Sequence, residues 1–187
     1  MTSNPISGLP ETRRLVTTHD DSGKAIVHGI ENSKWQPMRN NTVALNLLYT
    51  TSGFPVQMNQ DVDIEAHKKL AESPIGLVNP GGSVCRMVDF SPDNNPMMHR
   101  TKSLDYGVVI EGEVEMILDS GEVHQMKRGD VAVQRGTMHA WRNPSKTQWA
   151  RMMFVLLDCE ALQVGDSSLK EALAPGQHEM QASGNDS

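Results

Sequence analysis

Two histidines, His99 and His139, are the residues of this 187-residue chain whose placement points to chemistry. They sit near the ends of the stretch MHRTKSLDYGVVIEGEVEMILDSGEVHQMKRGDVAVQRGTMHAWRN, residues 98–143. An imidazole titrates near neutral pH, so it can take and give protons at a reacting centre. Side chains alternate along extended backbone, so residues 99, 101, 103 and 105 share one side, as do 139, 141 and 143. A barrel that turns both histidines inward therefore also brings Thr101, Asp105 and Trp141 towards its cavity. Trp141 would either stack on a planar molecule or pack in the core. Arg100 and Arg135 are candidates for a carboxylate or phenolate, although a surface ion pair is the commoner use of such residues. Met98, Met138, Met152 and Met153 read first as core and second as an apolar pocket wall.

The elements that must position these groups are short strands. Between the histidines, EGE (111–113), DSGE (119–122) and KRGD (127–130) are Gly-containing breaks flanked by β-type residues, the pattern of hairpin turns. Upstream, RRLVTTH and KAIVHGI surround DDSG as another hairpin, and residues 42–51 and 83–90 are further strand candidates. Residues 63–73 have one apolar face and read as a short helix, with Asp63 as its N-cap. Residues 149–160 make the strongest buried-strand candidate. Residues 167–174, SSLKEALA, read as one or two helical turns, and the tail from Pro175 is polar. Eight or more strands and one clear helix indicate an all-β sandwich, jelly roll or barrel.

Composition excludes several classes. A net charge of −6 leaves no basic footprint for nucleic acid. No apolar run is long enough to span a bilayer. The first residues lack the layout of a secretory signal, and Cys85 and Cys159 form no framework. A cytoplasmic protein with reduced cysteines is expected.

The central stretch resembles the cupins, small barrels built as a double-stranded β-helix. His99, Asp105 and Gly112 stand where the first cupin motif has a histidine, a Glu and a Gly. Gly129-Asp130, then Gly136-Thr137-Met138-His139 and Asn143, match the second motif. The chain departs from the pattern at Thr101, where the motif has a second histidine, and at Asp105, which is shorter than Glu. HRTxSxDYxVVxxGE with GDVxVQRGTxHAWRN is similar to cupin-domain proteins of fungal polyketide pathways, described as oxidoreductase-like or dehydratase-like.

That resemblance implies a single-domain cupin with a double-stranded β-helix over 83–158. Residues 1–11 would be a flexible arm, and 12–82 strands and a short helix packing on the barrel or a dimer partner. Residues 159–187 would be a partly disordered tail with a short helical stretch. Two imidazoles and a carboxylate, His99, Asp105 and His139, are the implied metal ligands for Fe, Mn, Ni, Co or Zn. The metal-free alternative uses the same three residues for proton transfer. Thr101, Trp141, Arg100 and Met138 are the expected substrate contacts. No nucleotide or flavin is expected.

The expected function is an enzyme acting on a small oxygenated, largely apolar molecule such as a polyketide-type intermediate. It would dehydrate, isomerise or aromatise that molecule, or carry out metal-assisted oxidoreduction. The alternative is a non-catalytic cupin that binds the ligand and assists a partner enzyme. A homodimer is expected, because a symmetric partner would cover the edges of the N-terminal arm.

Overall fold

Inward-facing apolar residues at every second position set the strands. In SVCRMVDF, Val84, Val88 and Phe90 are buried on one side, and in ARMMFVLLD so are Met152, Phe154 and Leu156. The computed structural model describes residues 6–173 and 181–185. In order, the elements are β1 (Arg13–His19), β2 (Ala25–Asn32), β3 (Trp35–Met38), β4 (Val43–Ser52), α1 (Val62–Ala71) and β5 (Gly82–Phe90). Then come β6 (Ser103–Glu111), β7 (Glu113–Leu118), β8 (Val123–Lys127), β9 (Val131–Arg135), β10 (His139–Arg142) and β11 (Ala150–Asp158). β12 (Leu162–Val164) and β13 (Ser167–Leu169) form a small hairpin.

Two antiparallel sheets face each other. The larger has the order β3-β4-β5-β11-β6-β9 and the smaller β10-β7-β8. Val88, Met152 and Leu156 of the first join Val114, Met126 and Trp141 of the second in one apolar core. Of the three breaks between the histidines, only DSGE makes a hairpin within one sheet, joining β7 to β8. EGE and KRGD instead carry the chain from one sheet to the other, so two of the three expected hairpins are corners. Gly112 makes the first corner possible: its φ is +76°, and a Cβ there would stand 3.1 Å from that of Ala150.

The N-terminal residues are less loose than expected. Asp89 and Arg151 form a bidentate pair at 2.6 and 2.8 Å on the outer side of the large sheet, with side chains 0% and 2% exposed. Ser7 donates to the same carboxylate and Arg151 donates to the Pro10 carbonyl. The Trp35 ring lies under the guanidinium at 4.7 Å. Covering this pair pins residues 7–10 to the barrel.

The helix begins at Val62, so Asp63 is not its cap; the Asp63 carboxylate accepts a bond from Tyr49 instead. The helical stretch expected at 167–174 is absent in residues 167–169, which are β13. Strand pairing with β12 overrides the local helix preference of SSLKEALA, of which Ala174 lies outside the described residues. Residues 183 and 185, expected in a disordered tail, are buried. Ser183 donates to Glu171 and receives the Val78 N–H, and Asn185 donates to Asp158. No helix among the described residues is long and apolar enough to cross a membrane.

Candidate active site

His139 opens β10, and His99 lies opposite it just outside any named strand. The two residues exchange both backbone bonds: each N–H donates to the other's carbonyl at 2.9 Å. Directly opposed residues of such a pair present their side chains on one face, and the imidazole centroids stand 4.5 Å apart at 48°. Each Nδ1 lies 2.9 Å from the carbonyl two residues earlier, Met97 for His99 and Thr137 for His139. A carbonyl only accepts, so each Nδ1 carries the hydrogen and each Nε2 is left with a lone pair. Burial lowers the pKa of His99, and burial with His99 alongside lowers that of His139 to about 4. Both rings are neutral at pH 7.

The approach to His99 is held by two asparagines. Asn94 donates to the Trp141 carbonyl and accepts the Asn143 N–H. Asn143 also donates to the carbonyls of Phe90 and Gln148. Asn143, which shares the motif with His139, therefore ties loops together and does not line the cavity.

Asp105 is on the opposite sheet. It is 3% exposed on β6, and Ser103 and Thr101 both donate to its carboxylate. Burial outweighs those bonds and raises its pKa from 3.8 to about 6. Near neutral pH it therefore exchanges between acid and carboxylate. A cavity of about 640 Å³ separates the two walls, within the size range of small-molecule sites. His99, His139, Trp141 and Asp105 line it, with Leu45, Val88, Phe90, Phe154 and Leu156 as its apolar surface. Trp141 is edge-on to His139 at 5.7 Å and to Phe154 at 5.5 Å. Pro96, Met97, Met98 and the 39–40 turn form the remaining wall.

His99, His139, Asp105 and Trp141 are thus brought together around one cavity. Other candidates are not. Thr101 is buried behind Asp105 and touches the site through it. Arg100 is turned to the C-terminal segment, where its Nε donates to the Lys170 carbonyl. Met138 is not part of the cavity wall.

The expected three-ligand metal set does not form in this arrangement. Among the described residues no group of three His, Cys, Asp or Glu side chains is placed to hold a metal ion. The imidazoles belong to the small-sheet side and Asp105 to the large sheet, where its oxygens accept from Ser103 and Thr101. The imidazole pair alone offers two ligand atoms.

A charged cavity residue on the main sheet escaped the sequence reading. Arg86, 6% exposed on β5, lines the cavity among its apolar neighbours. The signal was present: in VCRMVDF, Arg86 has the same parity as Val84 and Val88, so an inward Val84–Val88 face makes Arg86 inward too.

Facing antiparallel sheets with histidines at the inner wall define the class, and this chain belongs to the cupin family. The Cupin domain model matches residues 77–156. Oryzines biosynthesis cluster protein J of Aspergillus oryzae is 42% identical over 95% of this chain and 100% of its own length. Phomopsin biosynthesis cluster protein D of Diaporthe leptostromiformis is 40% identical over 94% and 95%. The cupin-domain-containing oxidoreductase virC of Hypocrea virens is 44% identical over 89% and 86%. Among solved structures, the polyketide cyclase RemF from Streptomyces resistomycificus is 14% identical, with a TM-score of 0.46 over 75% of this chain and 79% of that one.

Proposed function

We propose that this cupin is an enzyme of secondary metabolism that moves protons on a small oxygenated, largely apolar molecule held between its sheets. The observation that carries this reading is the placement of two bare imidazole Nε2 atoms across an apolar cavity from an aspartate with a pKa near 6. Groups with opposite roles on opposite walls suit elimination of water. Nε2 of His139 or His99 accepts a proton from carbon. Asp105 gives its proton to the departing hydroxyl, a carbon–carbon double bond forms and water leaves. Transfer of the proton from imidazole to solvent, and from solvent to Asp105, restores the site. Relatives named for biosynthetic clusters support the setting in secondary metabolism.

The test is complementation of a strain lacking this gene with His99→Ala, His139→Ala and Asp105→Asn, each checked for folding. Loss of pathway product with retained fold supports catalysis. Undiminished product from all three variants sinks it and leaves a ligand carrier that assists another enzyme. Several relatives are named oxidoreductases, and oxidoreduction would instead show as a change in product oxidation level.

A homodimer is part of the same reading. On the β1–β2 hairpin, the paired Leu15 and Ile30 are 55% and 56% exposed, an apolar face that a second copy would cover.

A further inference from the structure

Arg86 is a charged side chain in a wall that is otherwise apolar around it. Its Nη2 donates to the carbonyls of Gly76 and Leu77, at 2.7 and 3.1 Å. Both acceptors are neutral. Its Nε is buried and has no partner among the described residues. Asp105 is the acid whose field reaches it, but that carboxylate is bonded to Ser103 and Thr101. A buried guanidinium with a free donor and no ion-pair partner is unfavourable as it stands. A ligand that brings a negative oxygen to the cavity side of the guanidinium offsets that uncompensated charge. The planar, weakly hydrated guanidinium is suited to such an oxygen.

Of the other polar groups in the cavity, Asp105 opposes an anion only when ionised, above about pH 6. Both imidazoles have hydrogens only on Nδ1, which are already bonded to carbonyls, so they add no competing charge. Arg39 lines the same cavity. Its largely apolar walls lower the local dielectric, which strengthens an ionic contact at Arg86.

We propose that the cavity selects ligands with a negatively charged oxygen, a carboxylate or an enolate, on an apolar body, and that Arg86 binds this oxygen. The proposal rests on the reading of the cavity as a ligand site and adds the chemical class of the ligand. A purely structural Arg86 would serve only to hold residues 76–77, and would give no preference for anions.

The experiment is calorimetric titration of the full chain with three flat probes: 2-naphthoate as carboxylate, 4-hydroxycoumarin as enolate, and 2-naphthamide as the neutral match. At least one anion is expected to bind about tenfold or more tightly than the amide, as a charge-assisted bond implies. The stronger anion identifies which oxygen the site takes. In Arg86→Gln, with thermal transition retained, the preference is expected to vanish. Equal binding of anions and amide, no saturation at millimolar concentration, or an unchanged preference in Arg86→Gln overturns the proposal. Should that variant not fold, the wild-type Arg86 Nε–H resonance replaces it: the signal moves with the preferred anion but not the amide, and an unmoved signal overturns the proposal. Because these are binding measurements, they fail separately from catalysis. An anion-selective protein without turnover sinks the proton-transfer reading and leaves this one.

Discussion

His99 and His139 are joined backbone to backbone, each donating its N–H to the other's carbonyl at 2.9 Å, while their rings meet 4.5 Å apart. The bridge depends on no side chain. Replacing either imidazole therefore removes a chemical group without removing the pairing that holds the two segments together.

Alanine at either position should retain the far-ultraviolet dichroism of the wild type and cut turnover by roughly 10²- to 10⁴-fold, the usual range for a lost acid–base group. Pathway product measured beside the dichroism spectrum checks this. A folded His139→Ala protein with wild-type yield would remove the imidazole from the mechanism.

The two walls respond to pH in opposite senses. Burial raises Asp105 from 3.8 to about 6, so the folded chain holds this proton more tightly. Its contribution to stability is complete at pH below 3.8 and is lost as pH rises through about 6. His139 is lowered from 6.5 to about 4, so its contribution is present above 6.5 and is lost as pH falls through about 4. Asp105→Asn abolishes only the first dependence. Relative to wild type it should gain on the order of 2–3 kcal/mol between acid and neutral pH. Urea unfolding of both proteins across that range measures it, and a pH-independent difference contradicts the shift.

Asp89→Asn breaks the covered pair with Arg151 and leaves a buried guanidinium without its partner. The expected loss is about 3–5 kcal/mol. Urea midpoints would show it. A loss under about 1 kcal/mol, the range of exposed pairs, would mean the pair is hydrated in solution.

Gly107→Ala narrows the cavity from behind. A Cβ there would stand 2.9 Å from Phe154 Cε1, so the ring must shift. The expected cost is about 1–3 kcal/mol of stability, with weaker ligand binding because Phe154 lines the cavity. Unfolding curves and a titration with 2-naphthoate check both halves. An unchanged pair of values would show that Phe154 has space to move.

Much of the site was legible because strand parity is a local rule. Once His139 is inward, Trp141 follows; His99 and Asp105 also line the cavity, but a bend at residue 102 and a change of sheet separate them. What parity cannot give is which sheet a strand joins. EGE and KRGD look like hairpin turns, and only the pairing of β6 with β9 and of β7 with β8 shows that they are corners. Asp105 on β6 and His139 on β10 stand on opposing walls because the chain changes sheet again between β9 and β10. Arg86 was missed for a different reason. Its parity was readable, but its strand lies outside the motif that drew attention. The C-terminal residues were misjudged because Ser183 and Asn185 are polar and small, and their burial depends on Glu171, Asp158 and Val78, distant in sequence.

The most direct test of proton transfer between His139 and a carbon atom is conversion in deuterium oxide. Extract from the gene-deleted strain supplies the accumulated intermediate, and purified wild type and His139→Ala are added in parallel. Elimination predicts that wild type forms a product lighter by one water, with solvent deuterium entering carbon only in substrate that reverts, and about 10²-fold slower conversion or less with the variant. Product that retains the elements of water, or conversion equally fast with His139→Ala, would contradict it.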